Sequence, residues 1–157
     1  MKILILGVVA SGKTTLAKRM SEENHINYYE MDSIVIDYEK GIRRTNEEQQ
    51  EEIHKINRQS SWIIEGNLKD NMYDLLKYAD IIIYLDTPLN IRKRRLFYRF
   101  IKQKLRMEEC DYKPTIKTLK KMYKETDEAE NDKDKLKSEL SKYEQKVIVL
   151  KDANQIG

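Results

Sequence analysis

The first residues whose types and spacing could do chemistry lie in the stretch GVVASGKT, from Gly7 to Thr14. Glycine, four variable residues, glycine, lysine and threonine form the pattern of a phosphate-binding P-loop. Gly7 and Gly12 would let successive backbone N–H groups point at phosphate oxygens, next to the positive end of a helix. Lys13 would reach the β- and γ-phosphates of a nucleotide, and the Thr14 hydroxyl would bind Mg²⁺. The residues predicted to hold the nucleotide here are Gly7, Ala10, Ser11, Gly12, Lys13, Thr14 and Thr15.

The residues on either side of this motif decide between a P-loop and the start of a secretory signal peptide. Lys2 and the eight uncharged residues after it would also open a signal peptide. However, Ile3–Leu6 is an apolar run typical of a strand buried on both faces, and residues 14–23 have helical periodicity. Strand, loop and helix is the order that a P-loop requires, so this pattern is favoured.

The chain of 157 residues has the size of one domain with a core of its own. Its single cysteine, Cys110, excludes a disulfide framework within the chain. No apolar segment approaches the length of a membrane span. We therefore expect one cytoplasmic domain over residues 1–157, as a monomer or homodimer that does not bind a membrane.

Positive charge is concentrated in one segment. Residues 91–124 contain 13 Lys and Arg against 3 Asp and Glu, whereas residues 1–90 contain 11 against 15. Such a patch attracts polyanions, which include nucleic acid, a membrane surface and nucleotide phosphates. The charge pattern alone does not choose among these partners.

Five short apolar stretches predict strands that alternate with helices. They are Ile3–Leu6, Asn27–Met31, Ser61–Glu65, Ala79–Asp86 and Lys146–Leu150. This alternation predicts an α/β fold with a parallel sheet, whose ligands bind beyond the carboxyl ends of the strands. The chemistry should therefore converge on the P-loop, Asp32, the segment Glu65–Lys69, and Asp86.

Two helix starts are predicted from capping residues. Thr45 and Glu48 have the spacing of a capping box, which would begin a helix that reaches about Arg58. Thr87 and Pro88 predict a helix with threonine as N-cap and proline at the first position. This second helix carries the basic residues.

Nearly the whole chain resembles the adenylate-kinase-like group of P-loop kinases, and within it the small topology-modulation proteins. The resemblance rests on the order of GVVASGKTT, WIIEGN at 62–67, LDTP at 85–88, RLFYR at 95–99 and VIVLK at 147–151. It implies a three-layer P-loop kinase fold with a five-stranded parallel sheet in the order 2-3-1-4-5. It also implies a helical lid over the nucleotide, inserted at about residues 92–125.

By this resemblance, Arg95 and Arg99 are the two arginines that open the lid and contact the ATP phosphates. Their spacing places them on one face of a helix, and planar guanidinium groups suit phosphate oxygens in a transition state. The alternative is a solvated basic helix face that binds nucleic acid. We assign Arg92, Lys93, Arg94 and the lysines beyond Arg99 to such a face.

The segment after the third strand carries further candidates. By the resemblance, Glu65 stands where adenylate kinases have an aspartate, and its carboxylate could hold a water bound to Mg²⁺. Lys69 stands where nucleoside-monophosphate kinases have an arginine that grips the acceptor phosphate, but lysine lacks the bidentate fork. Asn67 lies between them and is assigned with them to the acceptor site.

Asp32 follows the second strand, where kinases of the shikimate type use an acid to orient the acceptor hydroxyl and accept its proton. The alternative role for Asp32 is that of a helix N-cap. Arg43 and Arg44 precede the helix that would cover the acceptor site, and they could grip an anionic substrate.

The leading hypothesis is therefore a Mg²⁺-dependent kinase that transfers the γ-phosphoryl group of ATP to a small acceptor. Its predicted catalytic residues are Lys13, Arg95, Arg99 and Asp32, and its predicted metal residues are Thr14 and Glu65. The rival is a regulatory nucleotide-binding protein that contacts DNA through residues 91–124. A third hypothesis is a degenerate kinase that binds ATP without turnover.

Overall fold

The structure is a computed structural model that describes residues 1–108, 110 and 113–155. Within these residues the main sheet consists of β1 (Lys2–Gly7), β2 (Tyr28–Glu30), β5 (Trp62–Gly66), β6 (Ile81–Leu85) and β7 (Val147–Leu150). A separate hairpin consists of β3 (Ile36–Asp37) and β4 (Ile42–Arg43). The helices are α1 (Lys13–Asn24), α2 (Met31–Val35), α3 (Asn46–Asn57), α4 (Asp74–Tyr78), α5 (Leu89–Lys104), α6 (Ile116–Asn131) and α7 (Lys133–Leu140). Short 3₁₀ segments span Asp70–Met72, Ser141–Lys146 and Ala153–Gln155.

All neighbouring strands of the main sheet run parallel, in the order β2-β5-β1-β6-β7. Numbered along the chain within this sheet, the order is 2-3-1-4-5, so the predicted α/β fold and strand order are confirmed. In the register, Glu65 of β5 lies beside Ile5 of β1 and Glu30 of β2. Gly7 of β1 lies beside Leu85 of β6. The carboxyl ends of the strands therefore meet at one edge, where the P-loop leaves β1.

Alternate side chains of β1 enter two apolar layers, because successive residues of a strand point to opposite faces of the sheet. Leu4 and Leu6 belong to the layer covered by α2, α3, α4 and α7, whereas Ile3 and Ile5 belong to the layer that contains Leu16 of α1. Each of these five side chains is at most 1% exposed. The segment that could have opened a signal peptide is thus the central strand of the core.

The capping box predicted at the start of α3 is confirmed. Thr45 Oγ1 accepts a hydrogen bond from Glu48 N at 3.2 Å, and Glu48 Oε2 accepts one from Thr45 N at 2.7 Å. The cap predicted for α5 is wrong, since Pro88 is the N-cap rather than the first helical residue. Thr87 instead donates its hydroxyl proton to the Ser11 carbonyl at 3.0 Å, which ties the start of α5 to the P-loop.

The basic segment forms helices that pack together. α5 runs without interruption from Leu89 to Lys104, and α6 lies against it, with Lys93 Nζ 2.6 Å from Asp127 Oδ1. The lid predicted at about residues 92–125 corresponds to parts of α5 and α6. That this segment moves stays a prediction. Positions 109, 111 and 112 of that lid lie outside the described residues. Among the residues that are described, no helix has the length and apolar character to cross a membrane.

Candidate active site

The P-loop backbone requires glycine at the two positions that the motif fixes. At Gly7 an added Cβ would lie 2.8 Å from Ser11 Oγ and 2.9 Å from the Leu85 carbonyl oxygen, closer than side chains tolerate. At Gly12 the backbone φ is 101°, a left-handed conformation that favours glycine, and α1 begins at the next residue. The loop therefore brings the unpaired N–H groups of the α1 N-terminus to the edge of the sheet, where an anion can bind.

Lys13, the first residue of α1, lies back over the loop. Its Nζ donates a hydrogen bond to the Val8 carbonyl at 3.0 Å. Burial lowers the pKa of Lys13 below its ordinary value of 10.5, while the carboxylates of Glu65 and Asp32 act to raise it. A cation held in this position is suited to the β- and γ-phosphates of a nucleotide on the loop.

Thr14 and Glu65, the two predicted metal residues, are in direct contact. Thr14 Oγ1 donates a hydrogen bond to Glu65 Oε1 at 2.6 Å, and Glu65 is 4% exposed near the end of β5. Burial raises the pKa of the Glu65 carboxyl above its ordinary value of 4.5, whereas the bond from Thr14 and the charge of Lys13 act to lower it. Hydroxyl and carboxylate oxygens are hard ligands of the kind that Mg²⁺ prefers, so this pair fits the metal.

One cleft of about 450 Å³ joins the P-loop to the ends of β2 and β5 and to α5. The predicted site residues that line it are Ala10, Gly12, Lys13, Thr14, Thr15, Asp32, Glu65, Asn67, Lys69, Arg95 and Arg99. Gly7 and Ser11 are buried and shape the loop from beneath. Glu30 also lines the cleft, although sequence reasoning missed it. Its place at the carboxyl end of a strand beside Asp32 was the signal that could have found it.

The strand order places the lining residues on two sides of the P-loop. Asp32 and Lys69 follow β2 and β5 on one side of β1, whereas Arg95 and Arg99 lie on α5, which follows β6 on the other side. We call the first side, lined by Glu30, Asp32, Asn67 and Lys69, the acceptor side. We call the second side, formed by the P-loop with Arg95 and Arg99, the nucleotide side.

On the acceptor side, Lys69 Nζ lies 3.3 Å from Asp32 Oδ1, with the side chains 36% and 72% exposed. Asp32 lies inside the first turn of α2, and Glu30 is the N-cap residue. The alternative role of Asp32 as an N-cap is therefore wrong. Asp32 lines the cleft, and its carboxylate can accept hydrogen bonds from a ligand there.

Within the described part of the cleft, neither Arg43 nor Arg44 is a lining residue. Arg43 is exposed on β4. Arg44 donates a hydrogen bond to the Ser33 carbonyl at 2.6 Å, and its guanidinium lies 3.4 Å from Asp37 Oδ2. The structure thus does not bring these two arginines to the acceptor side, because the β3–β4 hairpin carries them elsewhere.

The two predicted lid arginines are held in different ways. Arg95 Nη1 donates to the Ser11 carbonyl and Nη2 to Asp152 Oδ2, each at 2.7 Å. Arg99 is 53% exposed, and its Nε lies 3.4 Å from Glu108 Oε1. Arg95 therefore supports the loop itself, whereas Arg99 lies at the surface. Sequence reasoning missed Asp152, which follows β7 just as the other site residues follow their strands.

Buried polar contacts anchor the P-loop from beneath. The Ser11 carbonyl accepts hydrogen bonds from Thr87 Oγ1 and Arg95, and the Thr87 carbonyl accepts one from Arg92 Nε at 3.1 Å. Arg92 is fully buried and forms an ion pair with Glu130 of α6. The expectation that Arg92 belongs to a solvated face is therefore wrong, because its position on α5 faces α6 and the loop.

Asp86, expected among the site residues at the strand ends, does not line the cleft as described. Its carboxylate oxygens lie 3.0 Å from Lys133 Nζ and 2.9 Å from Lys137 Nζ. Burial acts to raise the pKa of Asp86, but the hydrogen bonds and charges of the two lysines outweigh burial and lower it. Asp86 thus fastens α7 to the end of β6.

Comparison with known sequences identifies the family. Residues 3–114 match the model of a family described as AAA domain, and because this is well over half of the chain, the chain belongs to that family. No sequence among the curated proteins matches the chain.

Solved structures share the fold. An uncharacterized protein from Eubacterium ventriosum matches with a TM-score of 0.52 and 19% identity, over 82% of this chain and 72% of that chain. A Silicibacter protein, provisionally named a fructose transport system kinase, matches with a TM-score of 0.51 and 19% identity, over 66% of this chain and 73% of that chain. Together with the sheet order, these matches identify the α/β fold of P-loop kinases.

A shikimate kinase from Bacteroides thetaiotaomicron is also similar, with a TM-score of 0.47 and 17% identity. The match covers 62% of this chain and 63% of that chain, so this chain spans somewhat less than two thirds of that enzyme's length.

Proposed function

We propose that the protein is an ATP-dependent phosphotransferase that moves the γ-phosphoryl group of ATP to a hydroxyl group of a small acceptor. The observation that carries this proposal is one cleft in which Lys13 and Thr14 of the P-loop share a space with Asp32 and Lys69. The fold of P-loop kinases supports it. A cytoplasmic location and a place in the adenylate-kinase-like, topology-modulation subgroup are parts of the same proposal.

On the nucleotide side, the residues have the chemistry that phosphoryl transfer needs. The N–H groups at the start of α1 and the Lys13 ammonium bind the phosphate oxygens of ATP. Thr14 and Glu65 would hold Mg²⁺, with Glu65 acting through a bound water. When bound, Mg²⁺ would supply positive charge to the β- and γ-phosphates.

On the acceptor side, Asp32 orients the acceptor hydroxyl and accepts its proton during transfer. Lys69 lies 3.3 Å away and pairs with the Asp32 carboxylate. Arg99 and Arg95 stabilise the charge that develops on the γ-phosphoryl group when the lid closes. Arg95 also keeps the P-loop in shape through Ser11.

Calorimetry with ATP and Mg²⁺, followed by a screen of acceptors for ADP release above the ATPase background, tests this proposal. We expect ATP to bind and at least one hydroxyl acceptor to raise ADP release. Absence of binding at millimolar ATP would contradict the whole proposal. Binding without turnover on any acceptor would favour the degenerate kinase.

No observation favours the rival in which residues 91–124 contact DNA. Arg92 is buried, and several other cations of the segment face carboxylates, as Lys93 does with Asp127. These pairs reduce the positive charge available to a polyanion. A gel shift at low salt should accordingly show no duplex binding.

A further inference from the structure

The acceptor side carries net negative charge. Glu30 and Asp32 contribute two carboxylates, and Lys69 contributes one ammonium, which already pairs with Asp32 at 3.3 Å. Within the described residues, Glu30 has no ion-pair partner, and it lies beside Glu65 in the strand register. Two carboxylates therefore face one lysine on the acceptor side, and Glu65, which would hold Mg²⁺, lies next to them.

The other cations that line the cleft lie on the nucleotide side. Lys13 lies over the P-loop, where it interacts electrostatically with the carboxylates of Glu65 and Asp32, and Arg95 and Arg99 lie on the far side of β1 from Asp32. Arg44, which could have gripped an anionic substrate, pairs with Asp37. A phosphate or carboxylate on the acceptor would need arginine or lysine groups to offset its charge. Among the described residues of the acceptor side, Lys69 is the only one that could offset this charge, and it is already paired with Asp32.

Resting on the proposed function, we propose that the acceptor is a hydroxyl compound without negative charge, a neutral polyol or an amino alcohol. Asp32 and Glu30 accept hydrogen bonds from its hydroxyl or ammonium groups, and the Asn67 amide can both donate and accept. A nucleoside monophosphate or a hydroxy acid in the same place would meet like charges at short range in a partly buried cleft. The acceptor side thus selects against anions.

The transfer step balances with such an acceptor. The acceptor hydroxyl oxygen forms a bond to the γ-phosphorus, and the bond between this phosphorus and the β–γ bridging oxygen breaks. The electron pair of the broken bond remains on ADP. The hydroxyl proton passes to the Asp32 carboxylate and from there to solvent.

Diadenosine pentaphosphate, which can span an ATP site and a nucleotide acceptor site, tests the acceptor side directly. If the acceptor side takes a nucleotide, the link between the two ends should tighten binding at least about hundredfold over ATP. We expect instead an affinity within about tenfold of that for ATP in calorimetry with Mg²⁺, because the second adenosine gains no site. A larger ratio overturns the inference, whereas failure of ATP itself to bind contradicts the proposed function.

Charge-removing variants identify the groups responsible. The double variant Glu30→Gln, Asp32→Asn should raise the affinity for diadenosine pentaphosphate relative to ATP by about tenfold, since Lys69 then faces the acceptor alone. The control is Glu39→Gln, Glu51→Gln, which removes the same charge from exposed positions outside the cleft. The control should leave the ratio unchanged. An equal ratio in the two double variants would mean that the carboxylates do not select the acceptor.

Turnover gives a second readout with acceptors that differ in charge at one carbon. Gluconate, glucitol and glucamine share a chain of hydroxyl groups but end in a carboxylate, a hydroxymethyl group and an aminomethyl group. We expect faster ADP release with glucitol or glucamine than with gluconate at equal concentration. Faster release with gluconate overturns the inference. If none of the three compounds raises ADP release above the ATPase background, the ratio of the affinities for diadenosine pentaphosphate and ATP decides.

Discussion

The two sides of the cleft differ in how firmly their residues are held. On the nucleotide side, Thr87 and Arg95 both bind the Ser11 carbonyl, and Arg92 beneath them is fully buried. On the acceptor side, a single ion pair joins Lys69 to Asp32, whose side chain is 72% exposed. The P-loop and Arg95 are fixed before a ligand arrives, whereas Asp32 and Lys69 can rearrange around it.

This difference predicts which properties of the protein substitutions on each side will change. Buried, bonded groups hold a geometry that phosphoryl transfer needs in advance, and exposed ion pairs contribute little to stability. Substitutions on the nucleotide side should therefore change ATP binding, turnover or stability. Substitutions on the acceptor side should change selectivity and leave the fold nearly as stable.

The largest expected effect is that of Lys13→Ala on ATP binding. Loss of a charged hydrogen-bond donor to the phosphates should weaken ATP binding by about 3 kcal/mol, or roughly hundredfold, in calorimetry. Circular dichroism should show an unchanged fold. Lys18→Ala, an exposed change on the same helix, is the control and should leave affinity unchanged. Equal affinities in the two variants would remove Lys13 from the phosphate site.

The next effect concerns the lid arginines. Arg99→Ala should lower kcat about hundredfold and change the affinity for ATP much less, because the guanidinium acts on the transition state. Arg95→Ala should lower kcat similarly and also lower thermal stability, since it removes a bond to Ser11. Kinetics with a responsive acceptor and thermal denaturation measure the two quantities.

Lys102→Ala, at an exposed position farther along α5, controls for loss of positive charge. If it lowers kcat as much as Arg99→Ala does, the lid arginines have no specific role. If Arg95→Ala leaves thermal stability unchanged, the hydrogen bond from Arg95 to Ser11 does not stabilise the P-loop.

The fold and the nucleotide side could largely be predicted from sequence, because local patterns determine them. The apolar run Ile3–Leu6 must be buried on both faces, and Gly7 and Gly12 are required by backbone conformation alone. Thr45 and Glu48 cap a helix through groups only three residues apart. In each case the residues that cause the local structure are neighbours in the sequence.

The contacts that sequence reasoning missed join residues far apart in the chain. Arg92 is buried because α6 brings Glu130 to it, and Arg95 meets Asp152 only after β7 has joined the sheet. Thr87 has the local chemistry of an N-cap, yet Pro88 takes that position and the Thr87 hydroxyl donates to the carbonyl of Ser11. No local pattern contains these partners.

A third prediction measures the buried support of the nucleotide side. Arg92→Leu should lower the free energy of unfolding in urea by about 2 kcal/mol, because it removes a fully buried guanidinium that pairs with Glu130 and donates to the Thr87 carbonyl. Glu130 keeps Lys133 at 3.1 Å, which limits the loss. Lys93→Leu breaks a pair at the surface of the same helix and should cost less than about 1 kcal/mol. Equal losses would contradict the distinction between the two pairs.

A fourth prediction concerns Glu65, whose pKa burial raises above the ordinary value of 4.5. As pH rises past that value, the native state keeps this proton longer than the unfolded state does, so the contribution of Glu65 to stability falls. Glu65→Gln removes this dependence and should gain stability relative to the wild type as the pH rises above about 4.5. Urea denaturation at several pH values measures the difference, and a difference that does not vary with pH would contradict the prediction.

The smallest expected effect lies on the acceptor side and completes the comparison. Lys69→Gln breaks an ion pair whose partners are 36% and 72% exposed, and solvent screens such a pair. We expect the free energy of unfolding to change by no more than about 0.5 kcal/mol. Lys77→Gln, which breaks the surface pair with Asp74, is the control. ATP affinity should also be unchanged, because Lys69 lies across β1 from α5 and its arginines. A loss as large as that of Arg92→Leu would mean that the acceptor side is held as firmly as the nucleotide side, and the contrast between them would fail.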